Sequence, residues 1–243
     1  MRGGINRDRL EGMMRFFNIT GPCRPEDHYM LPPLERVKMT DVMRLIEKKS
    51  YFVMHAPRQS GKTTFFMTLA KQLTGEGKYI SAMLSLESGA PWKTTDGLEE
   101  MQRAVLRDWL DQCQRQLPDE YQPPAWLEAE KDVTISHALS QWAQHVQKPL
   151  VLFLDEIDAL EGAGLIAVLR QLRSGFPMRP THFPQSIALI GMRDVKDYLM
   201  EAGSHLRSAS PFNIKEKSLT LASFTEEEVK TLYGQHAEAT GQV

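Results

Sequence analysis

The chain has 243 residues, 42% of them hydrophobic and 25% charged, with a net charge of −2. Such a composition suits a soluble globular protein with one substantial core, and the balanced charge excludes a global basic footprint for nucleic acid, leaving only local patches. Cys23 and Cys113 lie far apart without metal-type spacing and read as idle thiols of a reducing compartment. No apolar run approaches membrane-spanning length and no signal-peptide core opens the chain, so a cytoplasmic protein without membrane contact is expected.

Phe16 to Pro33 mixes four prolines with aromatic residues, which predicts an extended, rigid segment rather than a helix. Val37, Val42, Leu45 and Ile46 then recur at helical spacing, predicting an amphipathic helix over Leu34 to Lys49. Tyr51 to Met54 is an apolar run and reads as a buried strand. It leads into a short polar turn, Ala56-Pro57-Arg58-Gln59-Ser60-Gly61-Lys62-Thr63-Thr64, after which Phe65, Phe66, Leu69 and Ala70 fit a helix beginning inside the turn. A strand, a tight loop and a helix opening on Gly-Lys-Thr make a phosphate cradle. Loop N–H groups and the helix N-terminus aim donors and a partial positive charge at one place. Lys62 adds a cation for β- and γ-phosphates, the Thr63 hydroxyl suits Mg²⁺, and Gly61 lets backbone approach where a Cβ would interfere. A nucleotide's β- and γ-phosphates are the expected ligand of this loop.

The helix is predicted to end at Gly75-Glu76-Gly77, and Tyr79 to Leu86 reads as a second strand with polar Glu87 and Ser88 at its exit. Those two residues face an active site or cap the next turn. Leu98 to Gln116 reads as a long amphipathic helix, Pro118 to Pro124 as a break, and Val133 to Val146 as another helix. Leu150 to Leu154 is apolar without interruption and ends in Asp155-Glu156, which describes a strand buried on both faces that finishes in acid. Adjacent carboxylates repel each other unless a cation sits nearby, so Asp155 reads as a Mg²⁺ ligand beside Thr63. The strand end resembles a Walker B motif, which implies that Glu156 orients and polarises an attacking water. Asp158 is expected to cap the helix that follows. Further elements are a helix at Leu165 to Phe176, a strand at Ser186 to Ile190, a helix at Val195 to Met200 and a strand at Ser218 to Leu221. A last helix runs to about Ala239, with Thr225 and Glu228 forming a capping box.

HAPRQSGKTT resembles the Walker A motif of P-loop NTPases, with Ala56 where the first glycine is usual, and LFLDEID resembles Walker B. With FFNITGPCRPEDHYMLPP, GMRDVKDY and SPFNIKEKSLTLASFTEEEV, they make nearly the whole chain similar to the AAA+-like ATPases of the additional-glutamate group. The resemblance is to bacterial and archaeal AAA-like ATP-binding proteins near the STAND and archaeal-type ATPases. It implies an α/β three-layer sandwich with a parallel sheet ordered 5-1-4-3-2. It also implies an N-terminal segment over 1–33 leading into the nucleotide site, an ATPase core over 34–223, and a helical lid starting at 224–243 that is truncated. In such relatives the N-terminal segment passes the adenine, which here points to His28, Tyr29 and Met30 and their free backbone groups, against simple packing over the sheet edge. The sensor 1 tip falls on Arg193 or Asp194, where Arg193 either stabilises transition-state charge or is a surface arginine starting a helix. Arg207 falls near the place of an intersubunit arginine finger, although by itself it reads as an exposed loop arginine.

The leading expectation is a Mg²⁺-dependent ATP hydrolase that passes a conformational change to its lid. Its possible partners are a second copy or another protein reached through a C-terminal region. The alternatives are a nucleotide-gated switch or scaffold with negligible turnover, and a nucleic-acid-loading ATPase whose DNA-binding part lies elsewhere. A small-molecule kinase is disfavoured because the Asp-Glu pair positions water. A GTPase is disfavoured because no Asn-Lys-x-Asp motif occurs.

Overall fold

The computed structural model describes residues 15–92, 94–126, 134–201 and 214–242. Arg207 lies outside the described residues. The apolar runs become strands: Tyr51–His55 (β1), Ile80–Ser85 (β2), Leu150–Asp155 (β3) and Ser186–Gly191 (β4), with a more polar Lys215–Thr220 (β5). They form one sheet in the order β2-β3-β4-β1-β5, every neighbouring pair parallel. This is the expected order read from the opposite edge.

Strand period two separates two cores, one on each face of the sheet. Tyr51, Val53, Leu150, Leu152 and Leu154 pack with Met101, Trp109, Trp142 and Leu169. These come from α3 (Leu98–Gln116), α4 (Ile135–His145) and α5 (Gly162–Gly175). Phe52, Met54, Val151 and Phe153 turn the other way, toward Ile46, Phe66 and Leu69 of α1 (Met39–Glu47) and α2 (Lys62–Gly75). Parallel strands covered by helices on both faces have no solvent side, so their sequences read as continuous apolar runs. Short α6 (Val195–Glu201) follows β4, and α7 (Glu226–Thr240) follows β5, opened by the Thr225–Glu228 capping box.

β2 is an edge strand, yet its edge is covered. Gln116 of α3 accepts from the Met83 N–H at 2.9 Å and donates to the Met83 carbonyl at 2.6 Å. One turn earlier Gln112 accepts from the Ser85 N–H at 2.9 Å, and the Trp109 indole donates to the Ser85 carbonyl at 2.7 Å. Four helical residues rise about 6 Å, close to the about 6.6 Å between residues two apart in a strand. Side chains of α3 therefore stand in for a missing neighbour strand.

Several expected elements differ. The Leu34–Lys49 helix is split into a 3₁₀ turn at Pro33–Arg36 and α1, because Val37 is extended, with φ −129° and ψ 143°. β5 begins at Lys215 rather than Ser218. Its first half is charged because it runs along the sheet's outer edge, where Lys217 pairs with Asp41 at 3.0 Å and Lys215 with Asp194 at 2.6 Å. Asp158 is not a helix cap: it sits within a 3₁₀ turn at Ile157–Ala159, and α5 starts later behind Glu161. The proline-rich segment is not extended throughout. A bend at Gly21 and a turn at Arg24–His28 loop it round, so that Phe16 bridges His28 in parallel. We call residues 15–33 the strap. Its Cys23 N–H donates to the Thr64 hydroxyl at 3.0 Å, tying it to the start of α2.

Candidate active site

The carboxyl ends of β1, β2 and β3 converge on the loop between β1 and α2. Gly61 holds φ 88°, a conformation that favours glycine, and a Cβ there would stand 3.2 Å from the Arg36 guanidinium. No side chain caps α2, which leaves its first-turn N–H groups facing the loop. Ser60 is buried, and its hydroxyl has no hydrogen-bond partner among the described residues. Lys62 donates to the carbonyls of Ala56 at 2.7 Å and Pro57 at 2.8 Å, closing the loop on itself. Burial holds the Lys62 ammonium below the usual lysine range. Open donors, a partly desolvated ammonium and a helix N-terminus at one point have the chemistry that suits an anion.

Across the cavity, the Thr63 hydroxyl donates to Asp155 Oδ2 at 2.9 Å. Glu156 takes a left-handed backbone, φ 59° and ψ 40°, uncommon for a residue other than glycine. Consecutive strand residues would face opposite sides of the sheet; the change of hand at Glu156 lets both carboxylates line one cavity. Glu156 Oε2 accepts from the Ser85 hydroxyl at 2.5 Å, and the Glu156 N–H donates to Asp155 Oδ1 at 2.9 Å. Burial pushes both carboxyl groups above the ordinary carboxylate range, while Thr63 and Ser85 pull the other way for their respective partners. A hydroxyl beside a buried carboxylate oxygen is a hard donor set of the kind Mg²⁺ takes from a protein while phosphates supply further oxygens. Among the described residues no group of three or more His, Cys, Asp or Glu side chains is placed to hold a metal.

This cavity, about 640 Å³, is lined by Lys62, Thr63, Asp155, Glu156 and Ser85, with Arg24 and Arg115 on its walls. A second, largely apolar cavity of about 210 Å³ adjoins it and shares Gly61 and Thr64. Phe17, Tyr29 and Met30 of the strap, Phe65 of α2 and Leu232 of α7 enclose this second cavity.

The structure brings Gln59, Ser60, Gly61, Lys62, Thr63 and Thr64 together with Asp155 and Glu156 around one cavity; of the other loop residues, Ala56 and Pro57 are reached through Lys62, and Arg58 is not part of the lining. It does not bring Arg193 to that cavity. Arg193 lies over the Tyr198 ring at 4.8 Å and lines a separate hollow with Asp158 and Glu161. Asp194 is engaged by Lys215 and by the Lys196 N–H; burial opposes its ionisation, but these contacts outweigh it and bring its pKa down to about 2. Tyr29 and Met30 line the apolar cavity; His28 instead accepts from the Arg24 N–H and braces the strap's turn. The backbone of Met30 is not free as expected. Gln235 of α7 accepts from its N–H at 3.2 Å and donates to its carbonyl at 3.0 Å.

Sequence reasoning missed Ser85. Like Asp155, it is the polar end of an apolar strand, but Glu87 and Ser88 just beyond it read as the polar exit. It also missed Arg36, whose side chain is 8% exposed and touches the loop. No sequence signal marked it, because Val37 fits the helical spacing and its extended backbone appears only in the structure.

No protein-family model and no curated protein matches the chain. Solved structures do. A Walker-type ATPase of Pyrococcus abyssi superposes with a TM-score of 0.57 at 12% identity, over 93% of this chain and 63% of that one. Cdc6p of Pyrobaculum aerophilum gives 0.52 at 11% identity, over 85% of this chain and 48% of that one. The ORC2 protein of Aeropyrum pernix, solved as ADPNP and ADP complexes, gives 0.52 at 15% identity, over 86% and 54% respectively. The chain thus shares its fold with these proteins and spans about half to two thirds of the length of these structures.

Proposed function

We propose that this protein binds ATP and hydrolyses it with Mg²⁺, coupling turnover to movement of α7. The observation that carries this reading is the Thr63–Asp155–Glu156–Ser85 chain of contacts across a cavity floored by an uncapped helix N-terminus. The adjoining apolar cavity suits a purine base, and the A. pernix protein of the same fold was solved with ADPNP and ADP. In this reading the loop N–H groups, Ser60 and Lys62 bind the phosphates, and Lys62 exchanges its loop carbonyls for phosphate oxygens. Thr63 and Asp155 would hold Mg²⁺, which when bound neutralises charge on the β- and γ-phosphates. Glu156 accepts a hydrogen bond from the attacking water, orienting and polarising it.

A second reading, a nucleotide-gated switch with negligible turnover, draws on the 2.5 Å Ser85 contact, which keeps one oxygen of Glu156 occupied. Calorimetric titration of ATP and ADP with Mg²⁺, beside phosphate release, separates the two. Binding is expected for wild type and Glu156→Gln, with release at least about 100-fold slower in the variant. Binding without wild-type release favours the switch, and equal release from both proteins removes Glu156 from the chemistry. Association with a second copy or a partner protein belongs to the same proposal and is read from mass in solution with and without nucleotide.

A further inference from the structure

Arg36 meets three parts of the chain with one guanidinium. Nη1 donates to the Ser60 carbonyl in the phosphate loop, and Nη2 donates to the Ala222 carbonyl at 2.9 Å between β5 and α7. Nε reaches Glu228 Oε1 at 3.4 Å, and the guanidinium carbon Cζ lies 3.8 Å from the centre of the Phe224 ring. The other oxygen of Glu228 accepts from the Thr225 N–H at 2.8 Å and closes the capping box of α7. A continuous path therefore runs from the Ser60–Gly61 peptide through Arg36 and Glu228 into the first turn of α7.

The path acts on the one peptide of the loop most able to turn over. With φ 88°, Gly61 tolerates either orientation of the Ser60–Gly61 peptide better than any other residue would. In a trans peptide the carbonyl and the N–H point to opposite sides, so a carbonyl held by Arg36 leaves the Gly61 N–H facing away from it. Reversing the peptide would turn a carbonyl where the N–H stands and leave a mostly buried guanidinium donor unpaired. Lysine cannot replace this arrangement. Its point charge lacks the planar fork that reaches three acceptors in fixed directions.

We infer that Arg36 is a positioning residue that holds the phosphate-loop peptide in its anion-binding orientation and transmits occupancy of the loop to the N-terminus of α7. The inference rests on the nucleotide-binding reading above. It gives that reading a route by which a phosphate group is sensed at a helix that begins outside the phosphate cavity.

Hydrogen exchange of the intact chain, with and without Mg²⁺ and ADP or ATP, tests it. In wild type, nucleotide should slow exchange in the loop over 57–64 and slow the first turns of α7 at least about fivefold. In Arg36→Lys the loop should still be protected at saturating nucleotide, while the α7 response falls below about twofold and amides of β3 and β4 keep their wild-type rates. A merely structural role would instead raise exchange in the sheet with and without nucleotide. Glu228→Gln provides a second variant, because glutamine preserves the capping box but removes the charge facing Arg36. It should weaken the α7 response in the same sense. An α7 response equal to wild type in either variant overturns the inference, as does loop protection in wild type without any response at α7. Absence of loop protection in wild type overturns the nucleotide reading itself, and the inference with it.

Discussion

Glu156 is set by two opposed influences. Burial raises its pKa above the ordinary carboxylate value, and the Ser85 hydrogen bond favours the charged form and pulls it down. Orienting water requires the carboxylate, so phosphate release should fall on the acid side with a midpoint above that of a free glutamate. In Ser85→Ala burial is less opposed and the acid limb should move to higher pH; an unmoved limb in the pH–rate profile would assign the titration to another group. Asp155 has a folded-state pKa raised by burial, so its protonation favours the folded chain. That contribution is fully present below the unfolded pKa and lost as pH rises through the raised one. Asparagine offers one acceptor where Asp155 takes hydrogen bonds from both Thr63 and the Glu156 N–H, so Asp155→Asn also carries a loss that does not depend on pH. Its melting temperature relative to wild type, without nucleotide, should fall as pH is lowered from neutral, and a difference that does not change with pH would contradict the electrostatic account.

At the scale of elements, α3 contributes more than apolar burial. Its Gln112, Gln116 and Trp109 hold the backbone of Met83 and Ser85, and Ser85 in turn holds Glu156. Gln116→Ala strips both backbone partners from Met83, whose residue is 5% exposed, and should cost about 1–3 kcal/mol in denaturant unfolding. A midpoint within error of wild type would mean that water replaces the amide at that edge. This coverage was not legible in the sequence. Glutamines spaced four apart on a charged helix read as a solvated face, and only the adjacency of β2, fixed by distant strands, reveals them as partners of an edge. The charged first half of β5 was missed for a related reason: an edge strand pairs its lysines with acids from α1 and the β4 exit, leaving little apolar period to detect.

At the scale of the molecule, the strap and α7 lie at opposite ends of the described chain but enclose one cavity. Phe17 packs on Tyr29, Tyr233 and His236 at 5.1, 5.2 and 5.5 Å, and Gln235 grips both backbone groups of Met30. Gln235→Ala should loosen this closure without touching the phosphate loop. ATP affinity is expected to fall about tenfold, roughly 1.4 kcal/mol, while pyrophosphate affinity stays unchanged by calorimetry. An equal loss for both ligands would place the effect at the loop instead of the apolar cavity.

The sequence by itself determined the parts whose physics is local. The strands of a two-sided core announce themselves as uninterrupted apolar runs, the Gly61-Lys62-Thr63 turn requires contiguous residues, and the Thr225–Glu228 box spans a single helical turn. The placing of Asp155 and Glu156 at the end of a buried strand was legible for the same reason. Tertiary structure alone decided what depends on contacts across the chain. Ser85 meets Glu156 because β2 and β3 are neighbours, Gln235 meets Met30 across 205 positions, and Arg36 meets Glu228 across 192. Arg193 went elsewhere because the chain after β4 turns its guanidinium onto Tyr198. A polar side chain carries no local mark of its partner when that partner is brought to it by the packing of a sheet.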